Sequence, residues 1–178
     1  MDRLRSVGGP AMTRPGLRVE RHRSLPSTNA RALELAKAGA EAGWVVVAET
    51  QTAGRGQRGA PWASPPGGNL YASFLVRPRL DLERAGFLTL CAGLAVHDAI
   101  DGFLPGAVGL KWPNDLLARP GALAGAKVAG ILVEAALEGE ALRHAVIGVG
   151  IDVQAAPPVT DRRTACLADL GPAPGLEA

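Results

Sequence analysis

Apolar and polar positions change rhythm several times along the chain, and each change marks an element. WVVVAE at 44–49 and NLYASFLV at 69–76 are β-branched or apolar runs of strand length. Ser27, Thr28 and Asn29 are helix-capping residue types, and the ARALELAKAGA that follows has an apolar spacing that predicts a short helix ended by Gly39 or Gly43. From Asp81 or Leu82 the pattern predicts one long apolar helix through about Ile100, and AVGLKW then reads as a strand running into Pro113. After a glycine- and alanine-rich loop, KVAGILVEAAL and ALRHAVIGVGIDV predict two apolar strands joined in a hairpin by the turn Glu138 to Glu140. Beyond Gln154 the chain holds several prolines and one weak helical piece near Leu167, while residues 1–16 have no period and read as a tail, with Met12 as an alternative start. Helices alternating with both hairpin and crossover strands predict an α/β (α+β) domain over 17–178, a mixed β-sheet backed by helices.

Composition narrows the partners. At 178 residues the length suits one domain, and a content of 47% hydrophobic and 20% charged residues is that of a globular chain whose core is mostly aliphatic. The formal net charge is only +2, and the one dense basic run, RVERHRS at 18–24, carries an acid within it, so nucleic acid is not the expected partner. Neither a signal-peptide core nor a membrane-length apolar run is evident, which predicts a cytoplasmic location. Cys91 and Cys166 lie too far apart in sequence for a CxxC motif and read as reduced thiols used in packing. The three histidines cluster with no Cys or acid, so no structural metal is expected, and there is no GxSxG elbow.

The stretch AGRGQRGAPW at 53–62 places two arginines among three glycines. Glycine lets a backbone turn tightly and approach a ligand, and arginine offers a planar fork of donors, so the stretch suits an anion. Gly54, Gly56 and Gly59 satisfy G-x-G-x-x-G, but the prolines and glycines of APWASPPGG forbid the helix that a dinucleotide-binding turn must open. No Walker A loop is present either. Residue economy adds a second signal. Of 19 basic residues only Lys37, Lys111 and Lys127 are lysine, and both Lys111 and Lys127 abut an apolar strand, where a compact ammonium can serve a phosphate or carboxylate. The asparagines are equally few, Asn29, Asn69 and Asn114, and each stands beside these residues.

Taken in order, STNA (27–30), ETQTAGRGQRGAPW (49–62), GGNLYAS (67–73), KWPNDLL (111–117), KVAGILVE (127–134) and VIGVGIDV (146–153) resemble the catalytic domain of biotin protein ligases, over about residues 24–153. The resemblance implies a sheet related to class II aminoacyl-tRNA synthetases and lipoate ligases. It implies that biotin and MgATP give biotinyl-5′-adenylate and pyrophosphate, after which biotin passes to a lysine of a carboxylase's biotin carboxyl carrier domain. ATP, Mg²⁺ and biotin are therefore the expected small molecules, with the metal brought by ATP. No DNA or membrane partner is expected, and a homodimer through a sheet edge, which relatives often form, is left open by the sequence.

Residue by residue, the resemblance and the chemistry assign roles. Lys127 and Arg55 supply positive charge around a carboxylate that must attack an anionic phosphate, and Asp115 handles Mg²⁺-bound phosphate or orients the carrier lysine. These three are the catalytic candidates. Ser27, Thr28, Asn29 and Gln51 resemble the polar set that reads biotin's ureido ring, with Gly54, Arg55, Gly56, Gln57 and Lys127 completing the biotin site. Arg55, Arg58, Trp62, Lys111, Asn114 and Asp115 are the ATP candidates. Blander roles stand beside several of them: Trp62 as core filler, Asp115 as a turn residue, Lys111 as partner of an acid. The glycine-rich loop is expected to act as a mobile cover that keeps water from the mixed anhydride.

Departures from the family pattern are Gln57 and Ala60 where basic residues are usual, a long ARPGALAGA segment at 118–126, and Asp152 where asparagine is common. The winged helix and the small C-terminal domain of some relatives are not recognisable, and the chain reads as a minimal ligase or a fragment. Two alternatives remain: a lipoate or octanoate ligase or transferase, with Cys166 as acyl nucleophile, and a non-catalytic biotin-binding fragment.

Overall fold

The computed structural model describes residues 16–119, 121–139, 141–159, 162–172 and 175. The expected tail, apart from Gly16, and Glu140 of the expected turn lie outside the described residues. Seven strands form one mixed sheet in the order β1-β2-β3-β7-β6-β5-β4. β1 (Arg18–Leu25) runs parallel to β2 (Trp44–Gln51), with α1 (Thr28–Lys37) as the crossover between them. All other neighbours are antiparallel: β3 (Leu70–Val76), β7 (Ala141–Ile151), β6 (Lys127–Glu138), β5 (Asp115–Ala118) and β4 (Val108–Lys111).

The expected hairpin is the longest pairing in the molecule, from Ala129 opposite Ile151 out to Glu138 opposite Ala141. Alternation along β7 divides the core in two. Val146 packs with Ala32 and Ala36 of α1, while Val149 and Ile151 belong to the cluster on the opposite face, which Ile100 of the second long helix also joins. Gly148 and Gly150 share the face of Val146, so beyond α1 strand β7 puts no side chain on that face and a cleft forms over it. Ser27 caps α1, and Gly39, with φ +87°, follows its C-cap, which is where the sequence placed the end of the helix.

Three local expectations are corrected. The helix expected from Asp81 to Ile100 is broken at Gly86 into α2 (Leu82–Ala85) and α3 (Phe87–Asp101); Asp81 accepts the Arg84 N–H and caps the first piece, and glycine gives the junction little helical preference. The basic run at 18–24 is the edge strand β1, whose partly exposed position lets charged residues replace the apolar alternation that would have announced it. Strand β5 stands where the sequence predicts only turn and loop between Pro113 and Lys127, since four residues are too few to show an alternation. The weak helical piece is a single 3₁₀ turn, Leu167–Asp169. No helix among the described residues is long and apolar enough to cross a membrane.

Candidate functional site

The cleft on the α1 face is a cavity of about 420 Å³. Five sources build it: the N-terminus of α1, the end of β2 with the glycine-rich loop, the KWPND turn between β4 and β5, the glycine-bearing centres of β6 and β7, and Arg162 of the segment that follows β7.

One end is a network of neutral polar groups. Gln51 Oε1 accepts from the Thr28 N–H at 2.8 Å and the Thr28 hydroxyl at 3.1 Å, while Gln51 Nε2 donates to Ser64 Oγ at 2.8 Å. Asn29, only 4% exposed, accepts from the Ser73 hydroxyl at 2.6 Å and donates through Nδ2 to Leu132 O and to Glu134 Oε2. These bonds fix which way the Asn29 amide points, so the wall presents donors and acceptors at set positions. Gly148 makes the arrangement possible, because a Cβ there would run into Asn29 Oδ1 and stand 2.8 Å from its Cγ.

The other end is charged. Lys127, 9% exposed at the start of β6, reaches Asp115 Oδ1 at 2.6 Å across the sheet. The Trp62 ring lies beside it, its centroid 5.2 Å from Nζ, and the indole rests on the glycines of β6 and β7. A Cβ on Gly150 would stand 2.6 Å from Trp62 Cε2, and one on Gly130 would stand 2.9 Å from Cζ3. Trp62 Nε1 is buried with no hydrogen-bond partner among the described residues, leaving a donor to be satisfied from within the cleft. Asn114 is held by its own donation to Ile131 O at 3.0 Å.

The glycine-rich loop is itself a small hairpin. Arg55 bridges Pro61, Gly56 N–H donates to Ala60 O at 2.7 Å and Trp62 N–H to Gly54 O at 2.9 Å. Gly59 and Arg58 both take positive φ, +78° and +57°, to make its tip; for Arg58 this conformation is unusual in a residue with a Cβ. Arg55 extends back over the cleft and donates to Glu134 Oε2 at 3.0 Å.

Of the sequence-predicted residues, Ser27, Thr28, Asn29, Gln51, Arg55, Gly56, Gln57, Arg58, Trp62, Asn114, Asp115 and Lys127 all line this cavity. Two do not. Gly54 lies behind the lining, where a Cβ would strike the Trp62 carbonyl, so its part is to let the hairpin close. Lys111 is exposed on β4, backbone-paired with Asp115 in the ladder, and its side chain is not brought into the cleft.

Sequence reasoning assigned no role to Glu134, Ser73 or the three strand glycines. Glycine inside an otherwise β-branched strand signals close approach of another group, and Gly130, Gly148 and Gly150 carried that signal. Asn69, one of the three asparagines, stands just before β3. Its Oδ1 accepts the N–H groups of Val153, Gln154 and Ala155, and its Nδ2 donates to Asp152 Oδ1 and Ala155 O. It therefore folds the end of β7 around Asp152, which lines an adjoining cavity of about 360 Å³ with Trp62, Lys127 and Thr164. Burial pushes the Asp152 carboxyl up to about 7, against the pull of the Lys127 ammonium. Cys166 is buried away from both cavities, and burial, then its hydrogen bond with Asp169, raises its thiol pKa, the opposite of what an acyl nucleophile needs.

Residues 22–152 match the biotin/lipoate A/B protein ligase family. The chain is 43% identical over 150 residues to a biotin–[acetyl-CoA-carboxylase] ligase of Mycobacterium tuberculosis, a match covering 82% of this chain and 53% of the relative. It is 39% identical over 136 residues to the bifunctional ligase/repressor BirA of Bacillus subtilis, covering 76% of this chain and 40% of that one. Among solved structures it resembles the Leishmania major biotin protein ligase in complex with biotinyl-5-AMP, with TM-score 0.68 and 31% identity over 88% of this chain and 65% of that one. It also resembles the Aquifex aeolicus ligase in complex with biotin and ATP, with TM-score 0.67 and 32% identity over 85% and 60% of the two chains. The chain thus spans about half the length of the curated relatives it matches.

Proposed function

Because this chain belongs to the biotin/lipoate A/B protein ligase family, we propose that it activates biotin with ATP to biotinyl-5′-AMP and transfers the biotinyl group to a lysine of a carboxylase's biotin carboxyl carrier domain, in the cytoplasm. The observation that carries this reading is the polarity of one continuous cleft. A neutral wall of fixed donors and acceptors, suited to a cyclic urea, leads directly to a buried ammonium suited to a carboxylate and phosphate.

In the first step a biotin carboxylate oxygen attacks the α-phosphorus of ATP and pyrophosphate leaves. Lys127 lies where it can draw the two anions together, and Arg55 and Arg58 of the loop can take the charge that develops on the phosphate. In the second step the carrier lysine's amine attacks the acyl carbon, AMP leaves, and the amine's proton must be accepted. Asp115, held against Lys127, is the carboxylate placed to receive it or to orient the amine. Magnesium enters as the partner of ATP and shields phosphate charge. Among the described residues no cluster of three or more His, Cys, Asp or Glu side chains could hold it unaided, and Asp115, the carboxylate that lines the cleft, already pairs with Lys127. The glycine-rich hairpin, with Trp62 beneath it, is the cover that excludes water from the mixed anhydride.

The test is formation of acyl-adenylate from α-labelled ATP and Mg²⁺, with biotin, octanoate and lipoate offered separately. Adenylate from biotin alone is the expected result, and single-turnover rates for Lys127→Ala should fall by about 10³-fold. Adenylate from octanoate or lipoate but not biotin would move the chain to the acyl ligases on the same fold. No adenylate from any acid would overturn the reading.

A further inference from the structure

Glu134 belongs to neither end of the cleft by its sequence position, yet one of its oxygens touches both. Oε2 accepts from Asn29 Nδ2 at 2.9 Å and from Arg55 Nη2 at 3.0 Å. The Asn29 amide is oriented by three bonds: its oxygen takes the Ser73 hydroxyl and its two N–H bonds go to Leu132 O and Glu134, which leaves one oxygen lone pair for a ligand. Arg55 reaches Glu134 from the glycine-rich hairpin, 79 positions away in sequence. A single carboxylate oxygen therefore joins the polar wall to the loop that bears the phosphate-seeking arginines.

We infer that Glu134 is a positioning residue that couples recognition of the acid at Asn29 to closure of the glycine-rich loop through Arg55. The inference rests on the proposed function for the identity of the ligands, but the coupling is a property of the ligand-free chain. The ionised carboxylate oxygen accepts from both donors with charge assistance, whereas a glutamine oxygen in its place can take the same two contacts only as weaker neutral hydrogen bonds, without the ion pair to Arg55. The Arg55–Glu134 pair is part exposed, with side chains 44% and 27% accessible, so it is a weak latch that biases the hairpin towards the cleft without locking it there. Only Nη2 of Arg55 is engaged by Glu134, so the remaining guanidinium donors can reach an anion while the link to Asn29 is kept.

Three proteins decide the matter: Glu134→Gln, Arg55→Ala and the double variant. The first readout is the rate of trypsin cleavage at Arg58–Gly59 in the ligand-free chain. Glu134→Gln and Arg55→Ala should each raise it about three- to tenfold, and the double variant should be no faster than Arg55→Ala alone. The second is steady-state kinetics, in which Glu134→Gln should raise KM for biotin and for ATP by about fivefold each, with its effect on ATP absent in the Arg55→Ala background. Should Glu134→Gln lower Tm markedly, Glu134→Asp replaces it. The shorter carboxylate keeps the flexible arginine and gives up the fixed Asn29, so KM for biotin should rise while cleavage at Arg58 is unchanged. Unchanged cleavage and KM in Glu134→Gln, or effects that simply multiply in the double variant, would overturn the inference. If the unsubstituted chain makes no biotinyl-AMP, the proposed function falls, and the cleavage rates still decide for or against the coupling.

Discussion

Asp152 shows how one residue ties stability to pH. Its carboxyl is 2% exposed, accepts from Asn69 at 3.3 Å and has its pKa raised to about 7, chiefly by burial. In the unfolded chain it returns to the ordinary value of 3.8. Below both values the carboxyl is protonated in either state and leaves stability untouched. Between them the fold holds a proton that the unfolded chain has lost, so stability falls as pH rises through this window. Above about 7 the whole cost is present, roughly 4 kcal/mol from a shift of this size. Asp152→Asn keeps the shape and removes the titration. Its melting temperature should exceed that of the unsubstituted protein at about pH 8, and the two should converge towards pH 4. Parallel melting curves across that range would mean that Asp152 is already ionised in the fold. The same residue was visible in the sequence as a departure from a familiar pattern, but its burial depends on Asn69 and the segment folded around it.

At the scale of elements, strand β7 does two jobs with one alternation. Val149 and Ile151 fill the core on one face, and Gly148 and Gly150 leave the other face bare for Asn29 and Trp62. Gly148→Ala should leave the sheet intact by circular dichroism, since alanine fits a strand, yet it must displace the Asn29 amide, which a Cβ would meet within 2.8 Å of its Cγ. Biotin affinity measured by calorimetry should fall by about 10- to 100-fold, the loss expected when a fixed polar set is misaligned. Unaltered affinity would mean that Asn29 does not read the ligand. The helix α1 is similarly double. Ser27 caps it through the Ala30 N–H, as its residue type announced, while the neighbouring Thr28 and Asn29 turn into the cleft.

For the molecule as a whole, the segment after Gln154 closes the site from behind. Lys127 N–H donates to Arg163 O, Ala165 N–H returns to Lys127 O, and Leu167 N–H donates to Asp152 O, so the segment is bound to the backbone of two cleft residues. Leu167, 4% exposed, anchors it in the larger core cluster. Leu167→Ala should cost about 2–4 kcal/mol, and Tm should drop by roughly 5–10 °C in a chain of this size. If the segment only decorates the sheet, Tm will hardly move. A sequence reading sees here only prolines and a weak helical piece, because the hydrogen bonds that tie the segment to the site run to distant backbone.

The division between sequence and structure follows from range. Strands β2, β3, β6 and β7, helix α1 and its glycine stop were legible because local alternation, capping and turn chemistry act within a few residues. The glycine-rich loop, KWPND and Lys127 were legible as chemistry, because their residue types are suited to anions wherever they stand. Tertiary structure alone decided that Lys127 meets Asp115, that Trp62 lies over Gly130 and Gly150, that Lys111 stays outside, and that Glu134 holds Asn29 and Arg55 together. Each of those contacts joins separate elements across the sheet, and β-pairing register, not local preference, sets which side chains share a face.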